Sequence, residues 1–384
     1  VILQNEGGIL PLKDFRNIAV IGKFADTPNT GDDGSSNTRP AYVVTPLQGL
    51  QDALEGQAEV LFDDGSDLER AKDVAQAADA VILVVGYDFK DEGEFLDPDT
   101  MADLARFFPH PKPEEAPLAQ AFNQPSDQPD DQEFLSGGDR SKLTLHDQDE
   151  TLIREIAATN PKTIVTIMGG SGVIMEAWRE QVPAILMLWY PGMEGGHALA
   201  DILLGSVNPS GKLPFAIPQQ AEDLPFFDRD ATEIEYDLWH GYRKLARDGR
   251  TPAFPFGYGL SYTNYQYANL RLEKTRLSPS ETLKVSVDIS NTGLQTGDEV
   301  VQLYTSVIGS AVERAPKELK GFTRISLQPG ETKSVSLDIP ISRLAYYDEN
   351  LADFAVEPLE YEVFVGANSL DDHALKQRFT VLTD

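Results

Sequence analysis

The sequence predicts two different architectures in succession: an α/β domain with a mostly parallel sheet sandwiched by helices, then an all-β antiparallel sandwich. Three observations carry this. Through the first 220 residues, short apolar runs alternate with segments of helical period. Those runs are continuously apolar, as expected of parallel strands covered on both faces. Beyond about residue 270 the period changes to two, with closely spaced turns and no helix of any length between strands.

"NIAVIG" (17–22) is the first buried strand, and "TPLQGLQDAL" (45–54) follows as a helix with Thr45 as N-cap and Pro46 at its first position. "AEVLFDDG" (58–65) is the second strand. A capping box formed by Ser66 and Glu69 is expected to open the next helix, whose apolar face is Leu68, Ala71, Val74, Ala75 and Ala78. The strand "AVILVVG" (80–86) comes next. After a long insertion, "DQDETLIREIAATN" (147–160) is amphipathic through Leu152, Ile153, Ile156 and Ala157, and leads to the strands "KTIVTIMG" and "AILMLWY". Past the change of period, "ETLKVSVDISNTG", "DEVVQLYTSV", "TKSVSLDIPI" and "LEYEVFVGANS" alternate apolar with polar residues. The expected boundaries are 1–220 for the α/β domain, 221–268 for a packed connection rich in Gly, Pro and aromatics, and 269–384 for the sandwich.

With 384 residues, 41% of them hydrophobic and 24% charged, the chain is expected to form a globular fold of two or three domains. Its net charge of -30 argues against nucleic acid and anionic lipid as partners. No apolar run approaches the roughly 20 residues of a spanning helix, and the first residues, "VILQNEGGILPL", have neither a basic leader nor a cleavage site. The absence of cysteine excludes disulfides and thiol catalysis. It suits a secreted or periplasmic location without fixing one.

The stretch "GYDFKDEGEFLDPD" (86–99) leaves the carboxyl end of a buried strand and at once presents Asp88, Asp91, Glu92, Glu94, Asp97 and Asp99. Ligands gather at that end of a parallel sheet. The loop "GKFADTPNTGDDGSSNTRP" leaves the same end of the first strand, so the two are expected to meet at one rim. Other chemistries fit less well. No stretch forms a dinucleotide fingerprint or a P-loop. "GGSGV" (169–173) departs from a nucleophile elbow at Val173, which leaves Ser171 as a turn residue. The five histidines, at 110, 146, 197, 240 and 373, lack metal-ligand spacing, so neither metal nor cofactor is expected.

"LQNEGGILPL", "GDDGSSNTRPAYVVTPLQGL", "VVGYDFKDEGEF", "GGDRSKLTL", "WYPGMEGGHALADILLGSVNPSGKLPFAIP", "HGYR" and "PFGYGLSY" resemble, in order and spacing, the second domain of glycoside hydrolase family 3. "APKELKGFTRISLQPGET" and "YYDE" resemble the immunoglobulin-like, fibronectin type III-like domain that often ends such enzymes. The likeness covers nearly the whole chain and is nearest to bacterial β-glucosidases. It implies a retaining hydrolysis of β-glucosides, β-xylosides or related glycosides by an Asp nucleophile and a Glu acid/base. The nucleophile of the family lies in a preceding (β/α)8 barrel that this sequence does not resemble, so the chain looks like a fragment or one piece of a split enzyme. The barrel is then a partner, as is a β-linked oligosaccharide or β-glucoside substrate; a homodimer stays open.

By the same resemblance Glu92, followed by Gly93, matches the acid/base, with Glu94 in reserve. Crowding by Asp88, Asp91, Glu94 and Asp97 would favour its protonated form. Arg140 of "GGDR" either pins this loop or touches sugar. Asp32, Asp33 and Ser35 either line the sugar-binding mouth or simply make turns. Residues 95–136 hold nine acidic residues, two basic ones and seven prolines, and form an insertion that is a lid, a contact to a neighbouring chain or an ornament. The sandwich strands show no exposed aromatic row, which predicts a contribution to stability rather than to sugar binding.

Overall fold

A computed structural model describes residues 1–31, 38, 40–93, 140, 142–228 and 231–383. In chain order, the elements that matter here begin with β1 (Ile2–Asn5), β2 (Asn17–Ile21), α1 (Pro46–Ala53), β3 (Glu59–Asp63), α2 (Leu68–Ala77), β4 (Ala80–Gly86) and the short α3 (Phe89–Glu92). They continue with α4 (Asp147–Thr159), β5 (Thr163–Met168), β6 (Ala184–Met187), α5 (Gly195–Leu204) and α6 (Gly241–Arg247). The last portion is β7 (Tyr265–Leu272), β8 (Arg276–Leu277), β9 (Thr282–Asn291), β10 (Gly297–Ile308), β11 (Glu318–Leu327), β12 (Thr332–Pro340), β13 (Tyr346–Asp348), β14 (Asp353–Ala355), β15 (Glu360–Gly366) and β16 (Leu375–Val381).

Two compact units result. One comprises Phe15–Ser171 and Met187–Ala200. Its strands β3, β2, β4 and β5 lie side by side, all parallel. Every residue of β4 and β5 is buried, whereas β3 buries only Asp63 and leaves Phe62 42% exposed at the sheet edge. That is why the inner strands read as unbroken apolar runs. Thr45 caps α1 as expected, accepting from the Gln48 N–H, with Pro46 next. The expected Ser66 cap of α2 is corrected: Asp67 is the N-cap, accepting from the N–H groups of Glu69 and Arg70, while Ser66 donates to Asp64. A carboxylate placed one residue closer reaches both orphan donors at once.

The other unit comprises Val1–Asp14, Gly172–Leu186 and Asp201–Asp384. In it β1, a strand the sequence pattern did not announce, runs antiparallel to β6. The sandwich has a five-stranded sheet of order β11-β10-β15-β16-β8 and a three-stranded sheet of order β12-β9-β7. Alternate residues of β9, Leu283, Val285, Val287 and Ile289, enter one core with Val301, Leu303, Tyr361, Val363 and Phe379. Some aromatics of the preceding connection pack within this unit, whereas Phe226 and Phe227 are largely exposed. Trp239 is buried, Tyr242 stacks on Phe256 with centroids 4.7 Å apart, and the Tyr242 hydroxyl accepts from the Leu319 N–H at 3.0 Å.

Candidate active site

Within the unit of Phe15–Ser171 and Met187–Ala200, three segments meet: those that follow β4, β5 and Met187. The chain leaving β4 turns into α3, so Glu92 ends a helical turn rather than standing in an open loop. Reciprocal caps begin that turn: the Asp88 carboxylate accepts from the Lys90 N–H at 2.9 Å and the Asp91 carboxylate from the Asp88 N–H at 3.2 Å. Gly93 is required there by close approach, because a Cβ would lie 2.1 Å from the Phe89 carbonyl oxygen.

Among the described residues four donors meet the Glu92 carboxyl. Arg140 Nε lies 3.1 Å from Oε1, and the Ser171 hydroxyl donates to the same oxygen at 3.1 Å. The Gly170 N–H and the Tyr190 hydroxyl each donate to Oε2 at 2.5 Å. The Glu92 and Arg140 side chains are only 11% and 8% exposed, so water screens the ion pair little. Arg140 also donates to Ser171, and its guanidinium lies over the Tyr87 ring at 4.4 Å. Tyr87 in turn donates to the Thr144 carbonyl. Burial, followed by the bond to Glu92, pushes the Tyr190 hydroxyl well above its ordinary value and keeps it a donor.

Two of the acids expected to crowd Glu92, Asp88 and Asp91, have partners of their own. Asp88 pairs with Lys23 at 2.5 Å, and Asp91 with His146 at 2.8 Å. His146 meets the Tyr87 ring edge-on, with centroids 5.3 Å apart. Asp149, in the first turn of α4, accepts from the Gly86 N–H; burial pushes its carboxyl up to about 6, against the pull of His146 and Lys23. The loop after β2 reaches the same place, since Asn29 Nδ2 donates to the Tyr87 carbonyl at 2.8 Å and Gly31 lies against the Tyr190 ring.

Of the residues expected from sequence, Glu92 and Arg140 are brought together. Glu94, Asp32, Asp33, Ser35 and the insertion 95–136 lie outside the described residues. Ser171 is more than a turn residue here, and Gly170, Tyr190 and Asp149 were not anticipated. The signal for Gly170 was position: "GGSG" leaves the same end of a parallel strand as the acidic loop does. Among the described residues no group of three or more His, Cys, Asp or Glu side chains is placed to hold a metal ion, and no helix is long and apolar enough to cross a membrane.

A family model described as the glycosyl hydrolase family 3 C-terminal domain matches residues 1–262, well over half of the chain. The chain belongs to glycosyl hydrolase family 3. A second model, the fibronectin type III-like domain, matches residues 299–369 within the sandwich. Among family 3 relatives, thermostable beta-glucosidase B of Acetivibrio thermocellus is 32% identical, over 97% of this chain and 45% of its own length. A beta-xylosidase of Formosa agariphila is 31% identical, over 99% of this chain and 48% of its own. The crystal structure of a GH3 beta-glucosidase from Bifidobacterium adolescentis aligns with a TM-score of 0.79 at 29% identity, covering 99% of this chain and 51% of that one. The chain thus spans about half the length of the relatives it matches.

Proposed function

We propose that this chain is the acid/base-bearing, C-terminal half of a retaining family 3 glycosidase that releases terminal β-D-glucosyl residues from β-glucosides or cello-oligosaccharides. The nucleophilic Asp would lie in a barrel domain outside this sequence. The observation that carries the proposal is the convergence on one carboxyl, Glu92, of Arg140 from "GGDR", the "GGS" turn and Tyr190. Retention needs two carboxyl groups about 5 to 5.5 Å apart, one attacking the anomeric carbon and one protonating the leaving oxygen. A second domain can supply the latter only if it is rigidly presented, and a carboxyl fixed by four donors meets that demand.

The same geometry favours a second assignment within this function. Among the described residues every partner of Glu92 is a donor, so both its oxygens are used as acceptors, whereas a general acid must carry a proton toward substrate on a free oxygen. Glu92 would then be the anchor that positions the loop, and Glu94, two residues on, the acid/base. The alternative from another class, a non-catalytic carbohydrate-binding or scaffolding fragment, would have no need of a carboxyl held in this way; within the function, the alternative is a β-xylosidase-type specificity.

Glu92→Ala and Glu94→Ala in the whole polypeptide separate the assignments. The acid/base variant should lose hydrolysis of substrates with poor leaving groups by about 100-fold or more, lose much less on activated aryl glycosides, and recover turnover with azide. The anchor variant should lose both substrates alike, without azide rescue. Full activity in both variants would sink the proposal.

A further inference from the structure

Between β12 and β15 the chain forms the hairpin β13–β14, which belongs to neither sheet of the sandwich. Tyr347 pairs across it with Phe354, and the two are 54% and 71% exposed. Their centroids lie 5.5 Å apart at an interplanar angle of 79°. In an edge-to-face pair each ring gives up at most one face, so at least one face of Tyr347 is left uncovered by its partner. No aromatic row runs along the sandwich strands themselves; the exposed pair stands beside them.

This hairpin forms a wall of a cleft of about 660 Å³, whose other walls are Arg243 on α6 and the Val312–Glu318 segment leading into β11. Small-ligand sites span roughly 300–1,000 Å³. The walls are set before any ligand arrives. Arg314 pairs with Glu357 at 3.3 Å and donates to the Leu344 carbonyl at 2.7 Å. Asp348 accepts from the N–H groups of Asn350 and Leu351 and, at 3.1 Å, from the Tyr346 hydroxyl. Arg243, by contrast, meets Glu318 only at 3.7 Å, and the Glu313 and Asn350 side chains stand in solvent.

An exposed aromatic face beside side chains that both donate and accept complements a pyranose, with its C–H face and its rim of hydroxyls. The net charge of -30 disfavours an anionic polysaccharide. We propose that this cleft binds a neutral β-linked oligosaccharide, with Tyr347 stacked on a sugar ring and Arg243, Glu313 and Asn350 taking its hydroxyls. The choice of sugar rests on the glycosidase function proposed above. The cleft is a second carbohydrate site, built from residues other than those around Glu92, and it gives the fibronectin-like domain a role in holding substrate.

Calorimetric titration of this chain with cellotetraose and with xylotetraose tests the proposal. Saturable binding to at least one probe is expected, weakened about tenfold by Tyr347→Ala, kept by Tyr347→Trp and unchanged by Glu92→Gln. Should Tyr347→Ala lower the melting temperature, Arg243→Gln carries the test, with an expected loss of about threefold. Absence of saturable binding, or wild-type affinity in both cleft variants, overturns it. Binding by this chain but not by the whole polypeptide overturns it too, since the rest of the protein would then cover the cleft. Hydrolysis by the whole polypeptide is scored separately: normal turnover without cleft binding sinks the cleft alone, and cleft binding without turnover sinks the glycosidase function alone.

Discussion

Glu92 owes its position to groups from three loops, and one neighbouring carboxyl is placed at a cost. Asp149 is covered at the end of β4, and its carboxyl is raised from 3.8 to about 6, chiefly by burial and with a contribution from Asp91. A carboxyl with a raised folded value binds its proton more tightly in the native state, so stability falls as pH rises from about 4 to about 6 and stays lower above that. Asp149→Asn keeps an oxygen for the Gly86 N–H and removes the charge. Denaturant unfolding should show it close to wild type at pH 4 and more stable by up to about 3 kcal/mol at pH 7.5; an equal difference at both pH values would exclude the burial argument. Glu92 and Arg140 could be singled out beforehand because Glu92-Gly93 and "GGDR" match motifs of the family that the sequence resembles. Ser171 and Tyr190 could not, because a serine among glycines and a tyrosine after an apolar strand are commonplace until the sheet sets their loops side by side.

The strand β4 shows what holds that sheet together. It lies between β2 and β5, fully buried, and ends at Gly86, whose φ is +137°. A Cβ at this position would stand 1.9 Å from the Met168 carbonyl oxygen on β5. Gly86→Ala must therefore separate the strand ends or abandon the backbone conformation, at about 3 kcal/mol or more. Because Tyr87 and α3 follow directly, the loss should appear both as a lower melting temperature and as faster amide exchange at Gly170, whose N–H binds Glu92; an alanine variant as stable as wild type would contradict it. The buried strands were legible because covering both faces demands unbroken apolar runs. β1 was not, since four residues of "ILQN" contain no period, and their strand conformation comes from pairing with β6.

The chain is half as long as its relatives, and the chemistry proposed for it needs two carboxyl groups from two domains. Purified alone, these 384 residues should hydrolyse no aryl β-glucoside above the uncatalysed rate, while the whole polypeptide does so. Turnover by the isolated chain that vanishes when a carboxylate within it is changed would show that it holds both groups, and would refute the division between domains. The cleft beside Tyr347 adds the complementary expectation that the inactive chain still binds sugar.

What the sequence determined by itself was periodicity and punctuation. Continuous apolar runs dictated a parallel sheet, alternation dictated a sandwich, and Thr45 with Pro46 marked a helix start, because each of these follows from local conformational preference and from the number of faces an element buries. Tertiary structure alone decided which groups meet. Residues 140, 170, 171 and 190 converge on the carboxyl of Glu92, although 98 residues separate Glu92 from Tyr190. Tyr347 and Phe354 stay in water because their hairpin lies outside both sheets. Proximity between distant positions depends on strand order and on where loops leave the sheet. No window of sequence contains that information, because side-chain contacts across a fold are not properties of neighbours along the chain.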